Sequence, residues 1–198
     1  MLRIGLTGGI GSGKSVISDR FKSLYDTPII DADEISHELI LPQGEAYNEV
    51  IKLFGNDCVL DSGQIDRKYI REKIFSSPEL RTTLEQIIHP KVKENIYQQT
   101  NLLSSSYCII VVPLLIEANM QSIVDRILVI QTDKSLQISR VSHRDQCSTA
   151  HVETIVNNQS STEDKLKFAD DVIINNGTLE NLNPQIEQLH QKYLALSR

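Results

Sequence analysis

Three groups of residues in this 198-residue chain have the types and spacings to do chemistry together. The first is Gly8-Gly9-Ile10-Gly11-Ser12-Gly13-Lys14-Ser15, directly after a short apolar run. Its Gly-x-x-x-x-Gly-Lys-Ser pattern is that of a phosphate-binding loop. Glycines at 8, 9, 11 and 13 permit positive φ and leave no Cβ in front of a ligand, so successive N–H groups can converge on phosphate oxygens. Lys14 can then reach the outer phosphates and the Ser15 hydroxyl can hold magnesium. A helix starting near Lys14 would add roughly half a positive charge from its dipole. The expected nucleotide contacts are Gly8, Gly9, Gly11, Ser12, Gly13, Lys14, Ser15 and Val16, with Ser15 also the metal ligand. A flexible Gly/Ser linker does not account for the strand in front and the helix behind.

The second group is Asp31 and Asp33 in "IDADE", two residues apart at a strand end, so that one can face the metal side and the other an acceptor hydroxyl. Asp33 is equally suited to be a helix N-cap. The third is Arg140 and Arg144, four apart on one helical face in "QISRVSHRD". Such a pair is commonly a solvated surface. In a phosphoryl-transferring enzyme a lid that brings arginine onto the γ-phosphate is a requirement, which turns the balance toward function.

These groups need elements to hold them. Arg3–Thr7 reads as a strand, and Val16, Ile17, Phe21 and Leu24 recur at helical spacing behind the loop. Residues 27–31, "TPIID", read as a short buried strand. From Asp33 to about Thr100 the pattern is helical, with Ser77-Pro78 at a helix start. That is far longer than the roughly dozen residues a parallel crossover needs, and predicts an inserted helical lobe. Residues 107–113, 126–131 and 171–175 are continuous apolar runs, the mark of strands buried on both faces. Residues 132–168, rich in charge, predict a mobile helical hairpin, and the stripe from Leu179 to Leu196 a closing amphipathic helix. The expected fold is α/β: a doubly wound, parallel sheet of about five strands with helices on both faces and ligands bound beyond the carboxyl ends of the strands. A core of residues 1–33 and 106–198 contains a lid at about 133–168, and the helical insertion is 34–105.

Net charge −6 and pI near 5.4, with few aromatics, argue against a nucleic-acid partner. Cys58, Cys108 and Cys147 form no Cys-x-x-Cys pair and read as reduced thiols. No signal-peptide pattern is visible, and the longest apolar run, Cys108–Ile116, is broken by Pro113, so a cytoplasmic protein without membrane contact is expected. No Asn-Lys pair reads guanine, and no Asp has Gly three residues later, so the switch-GTPase pattern fails. The strand at 107–112 runs into Pro113 instead of an acid, as a motor ATPase would not. A small-molecule kinase remains.

The chain resembles the dephospho-coenzyme A kinase family from end to end, in "LTGGIGSGKS", "DADEISHELILPQG", "DRKYIREKIF", "LEQIIHPKV", "VVPLLIE", "RVSHRD" and "ADDVIINNG". The resemblance implies a P-loop NTPase fold and transfer of the ATP γ-phosphoryl to the ribose 3′-hydroxyl of dephospho-coenzyme A, with magnesium. It implies Asp33 as catalytic base, Lys14 and Arg140 as catalytic cations, and Arg144 near the nucleotide. The helical lobe would hold the acceptor, with Asp31, His37, His89, Pro113, Leu114, Leu115 and Glu117 on the acceptor side. His89 before Pro90 reads otherwise as packing at a helix boundary, and Glu117 otherwise as a plain surface acid. Two departures stand out. His37 replaces an arginine common in relatives, which removes a permanent charge. Ile155 stands where many relatives carry another lid arginine, which concentrates the lid's charge on Arg140 and Arg144. A kinase for another small acceptor, a nucleoside monophosphate or a sugar acid, would share the loop and lid; a binding module without turnover would share the loop. Monomer and small homo-oligomer both remain open.

Overall fold

The computed structural model describes residues 1–197 and divides them into two compact units, Met1–Asp31 with Leu102 onward, and Ala32–Asn101. The first boundary falls between Asp31 and Ala32, two residues before the expected one, so Asp33 belongs to the helical unit.

The first unit is built on five parallel strands: β1 (Leu2–Gly8), β2 (Ile29–Asp31), β3 (Tyr107–Val111), β4 (Arg126–Gln131) and β5 (Asp171–Ile174), ordered β2-β3-β1-β4-β5. β1 is therefore central, and the crevice beyond its carboxyl end is where such sheets take ligands. Register aligns Asp31 with Val111 and Val111 with Leu6, while Gly8 lies opposite Ile130. The loop and the acid at the end of β2 thus leave from one sheet edge.

Helix α1 (Lys14–Tyr25) begins directly after Gly13. Its buried side chains are Ile17, Ser18 and Phe21, whereas Val16 and Leu24 are exposed, so the inward stripe is narrower than the apolar spacing predicts. Ile17 and Phe21 join Ile4, Leu6, Leu128, Ile130 and Ile173 of the sheet. The same cluster takes in Leu182, Ile186, Leu189 and Tyr193 of the last helix, Leu179–Leu196. Ile110 and Val129, which alternate to the other face, are also fully buried.

Two expectations change here. β5 alternates buried and exposed instead of being buried on both faces, with Val172 and Ile174 open, because it is an edge strand paired only with β4. Its outer rim is occupied by a side chain: Gln185 accepts from Ile174 N–H at 2.9 Å and donates to its carbonyl at 3.0 Å. And the segment after β4 is three helices, not a hairpin: α6 (Lys134–Asp145), α7 (Thr149–Asn157) and α8 (Thr162–Leu166). The closing helix is therefore α9. At the amino end of β5, the buried Asp171 carboxylate accepts from Arg126 Nε at 3.1 Å, Tyr193 Oη at 3.3 Å and Lys192 Nζ. Burial works to raise its pKa, but Lys192 and Arg126 hold it below the usual Asp value. All three cysteines are free thiols, two of them buried. No helix among the described residues is long and apolar enough to cross a membrane.

The second unit contains α2 (Ala32–Leu39), α3 (Tyr47–Phe54), α4 (Arg67–Ser76) and α5 (Pro78–Asn101) around Ile35, Leu39, Ala46, Val50, Ile70, Val92 and Ile96. Asp66 caps α4 by accepting from the N–H groups of Lys68 and Tyr69. Ser77 accepts from Leu80 N–H at the start of α5, the end that Ser-Pro predicts. Helix α5 runs on through Pro90, so His89-Pro90 is not a helix boundary. Packing holds the helix over a position where proline cannot donate to the Gln86 carbonyl.

Candidate active site

The phosphate loop is shaped by two left-handed glycines and by side chains far along the chain. Gly11 has φ 72° and Gly13 φ 95°, values open to glycine at little cost. Gly8 and Gly9 are not at positive φ; they stand on crowded ground, since a Cβ on Gly8 would lie 2.7 Å from Ser12 Oγ and one on Gly9 2.9 Å from Gln137 Oε1. A Cβ on Gly11 would meet the Gln137 carbonyl at 2.7 Å and Val141 Cγ2 at 2.8 Å, so α6 packs directly on the loop.

The Ser12 carbonyl is gripped from two sides, by Asn175 Nδ2 at 2.7 Å and Thr132 Oγ1 at 3.2 Å. In a trans peptide the Gly13 N–H of the same unit points the opposite way from that carbonyl, and Gln137 in turn donates to the Thr132 carbonyl at 3.0 Å. The Ser12 hydroxyl is itself buried with no hydrogen-bond partner among the described residues. Lys14 Nζ donates to the carbonyls of Gly8 at 2.8 Å and Gly9 at 3.1 Å, which lays the ammonium across the loop's mouth. Ser15, second residue of α1, is exposed. Thr132 and Asn175 escaped the sequence reading, since polar residues whose partner is a backbone group over a hundred positions away leave no local pattern, and with them Gln137, which acts on Thr132. The one signal was place: Thr132 and Asn175 each follow a strand at its carboxyl end.

Of the two arginines on α6, only Arg140 carries a buried donor without an acceptor among the described residues. Its Nη1 is buried with no hydrogen-bond partner among the described residues, one residue from the Val141 that packs on Gly11. A buried cationic donor without an acceptor is costly, and an anionic ligand would satisfy it. Arg144 lies in solvent and is committed to its neighbour Asp145, with Nε–Oδ1 2.7 Å and Nη2–Oδ2 2.8 Å; that pairing raises its pKa.

On the expected acceptor side, Pro113 accepts from Thr7 Oγ1 at 3.1 Å through its carbonyl, and Leu114 is exposed. Leu115 is fully buried over Gly5, so its side chain offers a ligand no surface and serves packing instead. Glu117 turns to the interior: Oε1 accepts from Lys165 Nζ at 2.8 Å and from Ser160 N–H at 3.1 Å. Burial works to raise its pKa, yet the Lys165 hydrogen bond holds it below the usual carboxylate range. It is therefore not a plain surface acid.

In the helical unit, Asp33 lies inside the first turn of α2, where its charge favours the helix dipole, and it is Asp31 that immediately precedes the helix. His37 and Arg67 meet across α2 and α4, Nδ1 to Nη1 3.4 Å. They and Arg71 rim a cavity of about 250 Å³ whose walls are Ile40, Val50, Ile70, Ile74, Leu84 and Ile88. An apolar slot with a cationic rim suits an elongated molecule carrying phosphate. Arg67 thus puts a permanent charge beside His37. His89, half-buried on α5, has its pKa lowered by burial and is neutral near pH 7. Among the described residues no cluster of three His, Cys, Asp or Glu could hold a metal on its own. The Ser15 hydroxyl and the Asp31 carboxylate are hard oxygens of the kind magnesium accepts when phosphates and water complete its shell.

Comparison with known proteins agrees with this geometry. A family model described as dephospho-CoA kinase matches residues 2–181. The dephospho-CoA kinase of Coxiella burnetii is 42% identical over the whole of both chains. Among solved structures, a Thermus thermophilus protein superposes with TM-score 0.85 at 27% identity, covering 96% of this chain and 97% of its own. The dephospho-CoA kinase from Campylobacter jejuni superposes with TM-score 0.71 at 26% identity, covering 99% and 98%. By the family match over nearly its whole length and by that 42% identity, this chain belongs to the dephospho-CoA kinase family.

Proposed function

We propose that the protein transfers the γ-phosphoryl group of ATP to the 3′-hydroxyl of the ribose of dephospho-coenzyme A, giving coenzyme A and ADP, the last step of coenzyme A synthesis. The observation that carries the reading is the partnerless Arg140 Nη1 on a helix packed against the phosphate loop. A buried cationic donor left without an acceptor, on a helix that packs on the loop, supports a role against phosphate.

The amides of the loop and Lys14 hold the outer phosphates, while the α1 amino terminus adds its dipole. Ser15 and Asp31 are the residues that would hold magnesium, which supplies charge neutralisation on the phosphates. Asp33 orients the acceptor hydroxyl and takes its proton. Arg140 supports the charge that builds as the phosphoryl group moves. The cavity rimmed by His37, Arg67 and Arg71 supports binding of the acceptor within the helical unit: its cations meet phosphate, and its apolar walls meet the acceptor's chain.

The deciding experiment measures ADP release from ATP and magnesium with dephospho-coenzyme A, adenosine monophosphate, gluconate or no acceptor. Release with dephospho-coenzyme A alone, and a product phosphorylated at the 3′-hydroxyl, is the expected result. Equal release without any acceptor, or release with another acceptor, overturns the assignment.

A further inference from the structure

We infer that Gln159, held in place by the buried ion pair of Glu117 and Lys165, is a positioning residue that fixes the Ile10 peptide and through it the shape of the phosphate loop. The inference rests on the reading of that loop as a triphosphate site. Gln159 Oε1 accepts from Ile10 N–H at 2.9 Å, across 149 residues. Ile10 stands between Gly9 and Gly11, so this side chain holds a peptide to which the glycines on either side lend little restraint of their own. With its N–H committed to Gln159, that peptide is withdrawn from the phosphate-binding set, and the outer turn of the loop is tied to the chain after α7.

Gln159 can do this only if its own backbone is fixed, and the next residue is clamped on both sides. Ser160 N–H donates to Glu117 Oε1 at 3.1 Å, and the Ser160 carbonyl accepts from Lys165 Nζ at 2.5 Å. Lys165 is 2% exposed and completes the triangle by donating to Glu117 Oε1 at 2.8 Å. Stability alone does not account for such a pair, since apolar residues of similar volume commonly replace a buried ion pair at no loss. What the pair supplies that a hydrophobic contact cannot is direction: a donor and an acceptor aimed at the two ends of one residue. The chain after β3, where Glu117 lies, is thereby connected to the phosphate loop through Ser160 and Gln159.

The test is calorimetric titration with ATP and magnesium, beside the unliganded melting temperature, for Gln159→Ala, for Glu117→Ala with Lys165→Met, and for all three changes together. Gln159→Ala should weaken ATP binding roughly three- to tenfold, the worth of a lost neutral hydrogen bond, with melting nearly unchanged. The pair variant should weaken ATP binding by a similar factor, and the triple variant no further than the larger of the two, because all act through one contact. ATP affinity within twofold of wild type in Gln159→Ala, or effects that multiply in the triple variant, overturns the inference. If the pair variant does not fold, the Gln159→Ala constant decides alone. These are binding constants, so a wild-type protein that binds ATP and leaves dephospho-coenzyme A unphosphorylated sinks the proposed reaction and leaves this test intact.

Discussion

At the scale of single residues, the site separates groups that must act on charge from groups that only shape the backbone. Asp33→Asn keeps the size and removes the carboxylate proposed as base, so turnover should collapse while ATP affinity, read by calorimetry, stays near wild type; equal losses in both would take the base assignment away. Arg140→Ala should slow single-turnover phosphoryl transfer about 10²-fold. Arg144→Ala, tied to Asp145 in solvent, should change it little, and similar rates for the two variants would erase the distinction drawn from their surroundings. Much of this was legible in the sequence, because Gly-rich spacing with Lys14 and Ser15 describes a local object. The difference between Arg140 and Arg144 was not. Four-residue spacing puts both on one helical face, and only packing decides which guanidinium is left without an acceptor.

At the scale of elements, the loop and the strands show why local patterns carry part of a fold. β3 and β4 read correctly as doubly buried because they lie inside the sheet, where an unbroken apolar run has one meaning. β5 has the same composition and a different fate, since edge position depends on strand order, which no short stretch encodes. The loop glycines divide likewise. Gly13→Ala meets both penalties, a left-handed backbone and a collision with Asn175, and should cost about 1–3 kcal/mol of stability together with most ATP binding, measured by denaturant melts and titration. Asn175→Leu should reproduce the binding loss with Gly13 intact, because the Ser12 carbonyl loses its stronger donor.

At the scale of the whole molecule, stability should depend on acid through Asp171. Its folded pKa lies below its unfolded value near 3.8, so its contribution is complete above that pH and is lost as pH falls further, through the folded pKa. Asp171→Asn should therefore be less stable than wild type at neutral pH, with the gap narrowing below about pH 4; a gap that stays constant in urea melts across that window would show that the ion pairs are not its source. The Gln185 amide on the rim of β5 has a consequence of another kind. An edge strand with bare N–H and C=O groups and two open aliphatic side chains is a template on which a second chain can lay a strand. By taking both backbone groups of Ile174, one glutamine closes that rung of the edge to a second strand.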